Sequence, residues 1–111
     1  MKSARLAIAA LAICVSASAW SNPPKNSEFQ KLTDAQKRWW YIGSITTLGH
    51  VVALESSEKA KCVWDWYFDA PERREAQMDK SFTQYPDHAP SSIVIALLRR
   101  DCGVFPKAAG G

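Results

Sequence analysis

TDAQKRWWYIGSITTLGHVVAL, residues 33–54, is the stretch on which the fold turns. Thr33 with Gln36 three residues later is a capping box: a hydroxyl to accept from first-turn amides and a side-chain amide to reach back. Leu32, Ala35, Trp39, Ile42, Ile45, Leu48 and Val52 then recur at steps of three and four, which predicts one apolar stripe along a helix running to about Leu54. Gly43 and Gly49 each cost such a helix about 1 kcal/mol against alanine. They predict close approach of another backbone, with a kink as the alternative. Trp39 and Trp40 lie about 100° apart around the helix, so they cannot both point inward, and one of them is expected in a groove or contact surface.

Downstream, Ser56-Ser57-Glu58 offers a second helix start. Val63, Trp64, Trp66, Tyr67 and Phe68 crowd the following turns, while Glu58, Lys61, Asp65 and Asp69 fall on the remaining face. Asp69-Ala70-Pro71-Glu72 reads as a third start, with Asp69 as cap, proline in the first turn and Glu72 placed to reach back. Met78, Phe82 and Tyr85 would form its narrow buried stripe, ended by Pro86. After Pro90 the run Ile93-Val94-Ile95-Ala96-Leu97-Leu98 has the length of a buried strand. A lone strand would have no partner, however, Ala-Leu-Leu-Arg-Arg favours a helix, and Gly103 sits where a helix C-terminus wants it. The expected fold is all-α, a small four-helix bundle.

Residues 1–19 read as a cleaved secretory signal: Lys2 and Arg5, the apolar run Leu6 to Val15, then Ala17-Ser18-Ala19. The run is too short to span a bilayer, which takes roughly 20 apolar residues, so no stable membrane insertion is expected after cleavage. Residues 20–26 (WSNPPKN) read as a flexible leader and 106–111 as a flexible tail, leaving one helical domain over 27–105. Losing the signal removes Cys14, and the two remaining cysteines, Cys62 and Cys102, form an even count in an oxidising compartment, periplasmic or secreted. Their disulfide would close a loop of about 40 residues and stabilise the fold by about 4 kcal/mol.

The signal also carries away two of the 14 basic side chains, leaving the rest nearly balanced against 11 acidic ones. That balance gives no reason to expect a nucleic-acid partner, and Arg73-Arg74 and Arg99-Arg100 read as solvated helix faces. His50 and His88 are far apart in sequence and both thiols are committed to the bridge, so neither a metal site nor a cysteine nucleophile is expected. No phosphate-binding glycine loop, G-x-S-x-G elbow or H-E-x-x-H is present, and the carboxylates read as caps and surface charge partners. The reading is of a protein that is not an enzyme and takes no cofactor. His50 is expected to be a semi-buried histidine beside the stripe. Most of Trp20, Trp39, Trp40, Trp64 and Trp66 should be core. Two places could meet a protein partner. One is the proline-stiffened segment Tyr85-Pro86-Asp87-His88-Ala89-Pro90, with Tyr85, Asp87 and His88 as contacts; the other is the face bearing Trp39 and Trp40. In the structural alternative, Tyr85 packs under the turn and Asp87 caps the next helix.

WWYIGS in the first helix, then Cys62, then ERREAQMDKSFTQYPDHAPSSIVIALLRRDC over residues 72–102, resembles the small exported immunity proteins that protect bacteria from peptidoglycan amidases delivered by type VI secretion. The family pattern runs through a Tyr-Ile-x-Gly helix, a mid-chain cysteine, an amphipathic helix ending at an apolar-Pro turn, a helix with an Ala-Leu pair, and a terminal cysteine. Tyr41-Ile42, Cys62, Tyr85-Pro86, Ala96-Leu97 and Cys102 match it over about residues 39–103. Gly43 comes one position early, and Trp39 and Trp40 stand where many members carry a further cysteine. The resemblance implies a binding protein that occludes the active site of an amidase-type effector enzyme. A periplasmic acid-stress chaperone, and an exported helical protein of another role, stay open beside it, as does the oligomeric state.

Overall fold

The structure, a computed structural model, describes residues 23–106; the expected signal, the first part of the leader and all of the tail beyond Pro106 lie outside. The described chain is all-α: α1 (Asn26–Phe29), α2 (Asp34–Ala53), α3 (Ser57–Phe68), α4 (Pro71–Gln84) and α5 (Pro90–Cys102). Cys62 and Cys102 are disulfide-bonded with Cα atoms 5.8 Å apart, joining α3 to the end of α5. Among the described residues no helix is long and apolar enough to cross a membrane.

Local chemistry explains most of the boundaries. Thr33 Oγ1 accepts from the Gln36 N–H at 3.2 Å and Gln36 Oε1 accepts from the Thr33 N–H at 3.0 Å, the reciprocal box that starts α2. Ser56 caps α3 by accepting from Lys59 N–H. The run Ile93 to Leu98 is helical, and Gly103 closes α5 at φ 65°, the left-handed conformation glycine adopts without a Cβ penalty. The third start differs from expectation. Asp69 ends α3, and the residue preceding α4 is Ala70, which offers no side-chain cap; Pro71 at the first position supplies the preset backbone instead.

α2 and α3 pack as a hairpin, α5 lies on α3 and α4, and α1 lies on α4. Their shared core holds Phe29, Tyr41, Ile45, Val63, Tyr67, Met78, Phe82, Val94 and Leu98, all at most 2% exposed. Phe29 sits edge-to-face with Trp40, Tyr41 and Phe82, at centroid distances of 4.9, 5.8 and 5.3 Å. Pairs of this kind contribute about 0.5–1.5 kcal/mol each beyond their area. They make α1 part of the fold, which corrects the leader boundary: Asn26 is fully buried.

The stripe on α2 also differs. Its buried line is Tyr41, Ile45, Gly49 and Val52, with Leu32, Trp40, Ile42 and Leu48 packed alongside, whereas Ala35 and Trp39 face solvent. Steps that are mostly three residues lag the 3.6-residue turn, so the line drifts, and Trp39 lies about 140° around the helix from Val52. Nor do the two glycines meet a backbone. Gly49 is the seat of the Trp64 indole: a Cβ there would lie 2.0 Å from Trp64 Nε1, which donates to Thr46 O at 3.4 Å. Gly43 has nothing within 4 Å of where its Cβ would be.

Candidate partner-binding surface

Tyr85 follows α4, and its ring is 50% exposed instead of closing the stripe formed by Met78 and Phe82. The helix has ended at Gln84, and the ring leans edge-to-face on His88 at 5.3 Å. The Asp87 side chain is 85% exposed and lies 3.8 Å from Lys25 Nζ, a surface pair worth little in water. It does not cap α5, which is preceded by Ala89 without a side-chain cap. Both elements of the structural alternative for this segment are therefore absent, and Tyr85, Asp87 and His88 stand together at the surface.

Their backbone is not free. Asn26 N–H donates to His88 O at 2.7 Å and Ser27 N–H to Pro86 O at 3.1 Å, while Asn26 Nδ2 donates to Tyr85 O at 2.8 Å. The turn is closed by His88 N–H to Tyr85 O at 3.2 Å. Buried Asn26 and its neighbour Ser27 thus pin three carbonyls of an exposed loop. Asn26 Oδ1 has no hydrogen-bond partner, and this desolvated acceptor offsets part of what the three bonds contribute. Nothing in WSNPPKN signals this role, because the partners lie about 60 residues away.

The second place is an open apolar groove between α2 and α5, with a volume of about 470 Å³, lined by Trp39, Trp40, Gly43, Ser44, Thr47, Leu48, Ser91, Val94 and Ile95. Trp40 forms its inner wall against Phe29. Trp39, 73% exposed, stands at the rim, and Gly43, lacking a side chain, deepens the notch beside it. α5 begins just after the loop, and α1 touches both places, through Asn26 and through Phe29.

Two polar clusters lie elsewhere. Glu75, with a side chain 19% exposed, accepts from Arg38 Nη2 at 2.9 Å and Nε at 3.2 Å and from the Tyr67 hydroxyl at 2.5 Å. Burial alone would push its carboxyl up, but the hydrogen bonds from Arg38 and Tyr67 and the nearby positive charge prevail and hold it below its ordinary value. Burial, then the Glu75 bond, pushes the Tyr67 hydroxyl up. Asp101 accepts from Trp66 Nε1 at 2.8 Å and from Arg100, and the Arg100 bonds foremost hold its carboxyl low. Arg74 stacks 4.5 Å from the Trp66 ring centroid, and Arg99 Nε donates to Phe105 O at 2.6 Å. Hence Arg74 and Glu75 are partly buried clamps between helices, and Arg99 holds the chain that follows α5, correcting the reading of solvated pairs and surface carboxylates. His50 is exposed, with its ring edge-on to Trp64 at 5.1 Å, not semi-buried. Among the described residues no three His, Cys, Asp or Glu side chains gather as a metal-holding group. No family model, curated protein or solved structure matches this chain.

Proposed function

We propose that the chain is an exported helical binding protein of immunity type, which acts by covering the active-site cleft of a partner enzyme with its Tyr85–His88 loop. The observation that carries this reading is the pairing of exposure with fixation: an aromatic ring, a carboxylate and an imidazole are presented on backbone that buried Asn26 holds in place. A loop already ordered loses less entropy on binding, so more of its contact energy appears as affinity. Exposed, chemistry-bearing side chains on a rigid scaffold are the usual form of a recognition loop. The disulfide fits export to an oxidising compartment, and the resemblance of residues 39–103 to amidase immunity proteins is the ground for proposing an amidase-type enzyme as partner. The carboxylates of Glu75 and Asp101, with side chains 19% and 27% exposed, are occupied by cations and aromatic donors, which suits a scaffold.

The test is inhibition of purified peptidoglycan amidases by the oxidised protein. Stoichiometric inhibition of at least one is expected, with the active-site residues of that amidase protected from modification. Full activity across the panel, combined with acid-induced exposure of apolar surface and suppression of client aggregation at about pH 2–3, would replace this reading with the chaperone.

A further inference from the structure

We infer that the α2–α5 groove is the seat of a second copy of this chain, forming a two-fold dimer in which each Trp39 enters the notch over the other copy's Gly43. The first argument is charge. From Trp39 to Leu54, and again from Pro90 to Leu98, the chain carries no Asp, Glu, Lys or Arg. Exposed helix faces normally carry charge, and its depletion is the mark of the buried centre of an interface, with charged residues left to the rim.

The second argument is self-complementarity. The projecting ring and the empty notch lie one helical turn apart on the same helix: Trp39 is 73% exposed, and no heavy atom lies within 4 Å of a Cβ built on Gly43. In a two-fold interface residue i meets j and j meets i. An axis crossing α2 midway between Trp39 and Gly43, with the two copies of α2 antiparallel, satisfies both contacts at once. The same pairing sets Asp34 opposite Leu48 and Arg38 opposite Ser44, so no like charges meet. Arg38, the charge nearest the notch, is already engaged by Glu75.

The third argument is area. About that axis the two copies of α2 overlap over residues 34–48, about 22 Å, with the charged first turn at the rim, and the uncharged run on α5 adds about 13 Å at 1.5 Å per residue, each about 10 Å across. With surface relief, two copies would bury about 1,000 Å², the lower end for a specific interface. An interface of this size belongs with the weaker, transient associations. The Tyr85–His88 loop stays outside it, so the inference is independent of the proposed function.

Sedimentation equilibrium of the oxidised protein between about 1 and 300 μM tests this. A monomer–dimer equilibrium is expected, and Trp39→Ser and Gly43→Leu should each raise its dissociation constant at least tenfold. Gly43→Leu has open space to enter and a better helix former in place, so its melting temperature should not fall, which separates loss of the interface from loss of the fold. Asp87→Ala with His88→Ala should dimerise as the wild type does. A wild type that stays monomeric throughout would overturn the inference, as would a dimer indifferent to both groove variants. It would equally be overturned if Trp39→Ser weakened capture of a different protein without altering sedimentation, since the face would then belong to that partner.

Discussion

The same substitution at two glycines of one helix should move stability in opposite directions. Gly43→Ala adds a methyl group where nothing lies within 4 Å, so it should gain the helix propensity of alanine, about 1 kcal/mol. In a domain of this size that raises Tm by about 4–8 °C. Gly49→Ala gains the same propensity, but its Cβ would sit 2.0 Å from Trp64 Nε1 and 2.4 Å from Cε2. The indole is rigid, half-buried between α2 and α3, bonded to Thr46 O and edge-to-face with His50, so relief requires moving the ring or parting the helices. Overpacking costs about 1–3 kcal/mol and the displaced hydrogen bond about 1 kcal/mol more, for a net loss of about 2 kcal/mol and a fall in Tm of roughly 10 °C. Thermal and urea unfolding followed by circular dichroism would measure both, and Trp64→Ala should remove the penalty of Gly49→Ala in a double-mutant cycle. A Gly49→Ala protein as stable as the wild type would refute the claim that Trp64 is seated on this glycine.

Two further outcomes follow from the clamps between helices. Cys102→Ser opens the loop between residues 40 apart and should lower Tm by more than 10 °C, from about 4 kcal/mol of lost constraint on the unfolded chain; a change under about 3 °C would mean that the core alone carries the fold. Because the Glu75 carboxyl is held below its ordinary value of 4.5, its contribution is complete above that pH and is lost as pH falls through the folded-state value. Glu75→Gln should therefore cost about 2 kcal/mol at pH 7 and progressively less towards pH 3, and an equal cost at both, measured by urea unfolding, would contradict the linkage.

Features written in neighbouring residues were legible from the sequence. The Thr33–Gln36 box, the Ser56 cap, Gly103 at the end of α5 and the helical state of residues 93–98 depend on contacts within a turn or two, and all are present. The bridge followed from cysteine parity. What escaped depends on elements distant in sequence. Trp39 fits a three-and-four step pattern but lies off the face that α1 and α3 cover, and only their arrangement selects Tyr41 over it. Tyr85 continues the spacing of Met78 and Phe82, yet the helix ends at Gln84, so the spacing no longer fixes its direction. Asn26 and Glu75 are polar letters in polar stretches, and their burial is set by partners on other helices. The same holds for Arg74, whose neighbour Arg73 remains exposed. Of the candidate surface, the residue types of the loop could be read in advance, whereas its anchoring by α1 and the notch at Gly43 could not.

Binding of another protein through the pinned loop is tested most directly by paired capture. Wild-type protein and the Asp87→Ala, His88→Ala variant would be immobilised side by side, exposed to the same bacterial lysate, and the bound proteins quantified by mass spectrometry, with melting curves checked for both. The two baits should melt within about 2 °C of each other, while a partner enriched on the wild type should be recovered at least tenfold less on the variant, equivalent to about 1.4 kcal/mol. Equal recovery of that partner on both baits would contradict binding through the loop.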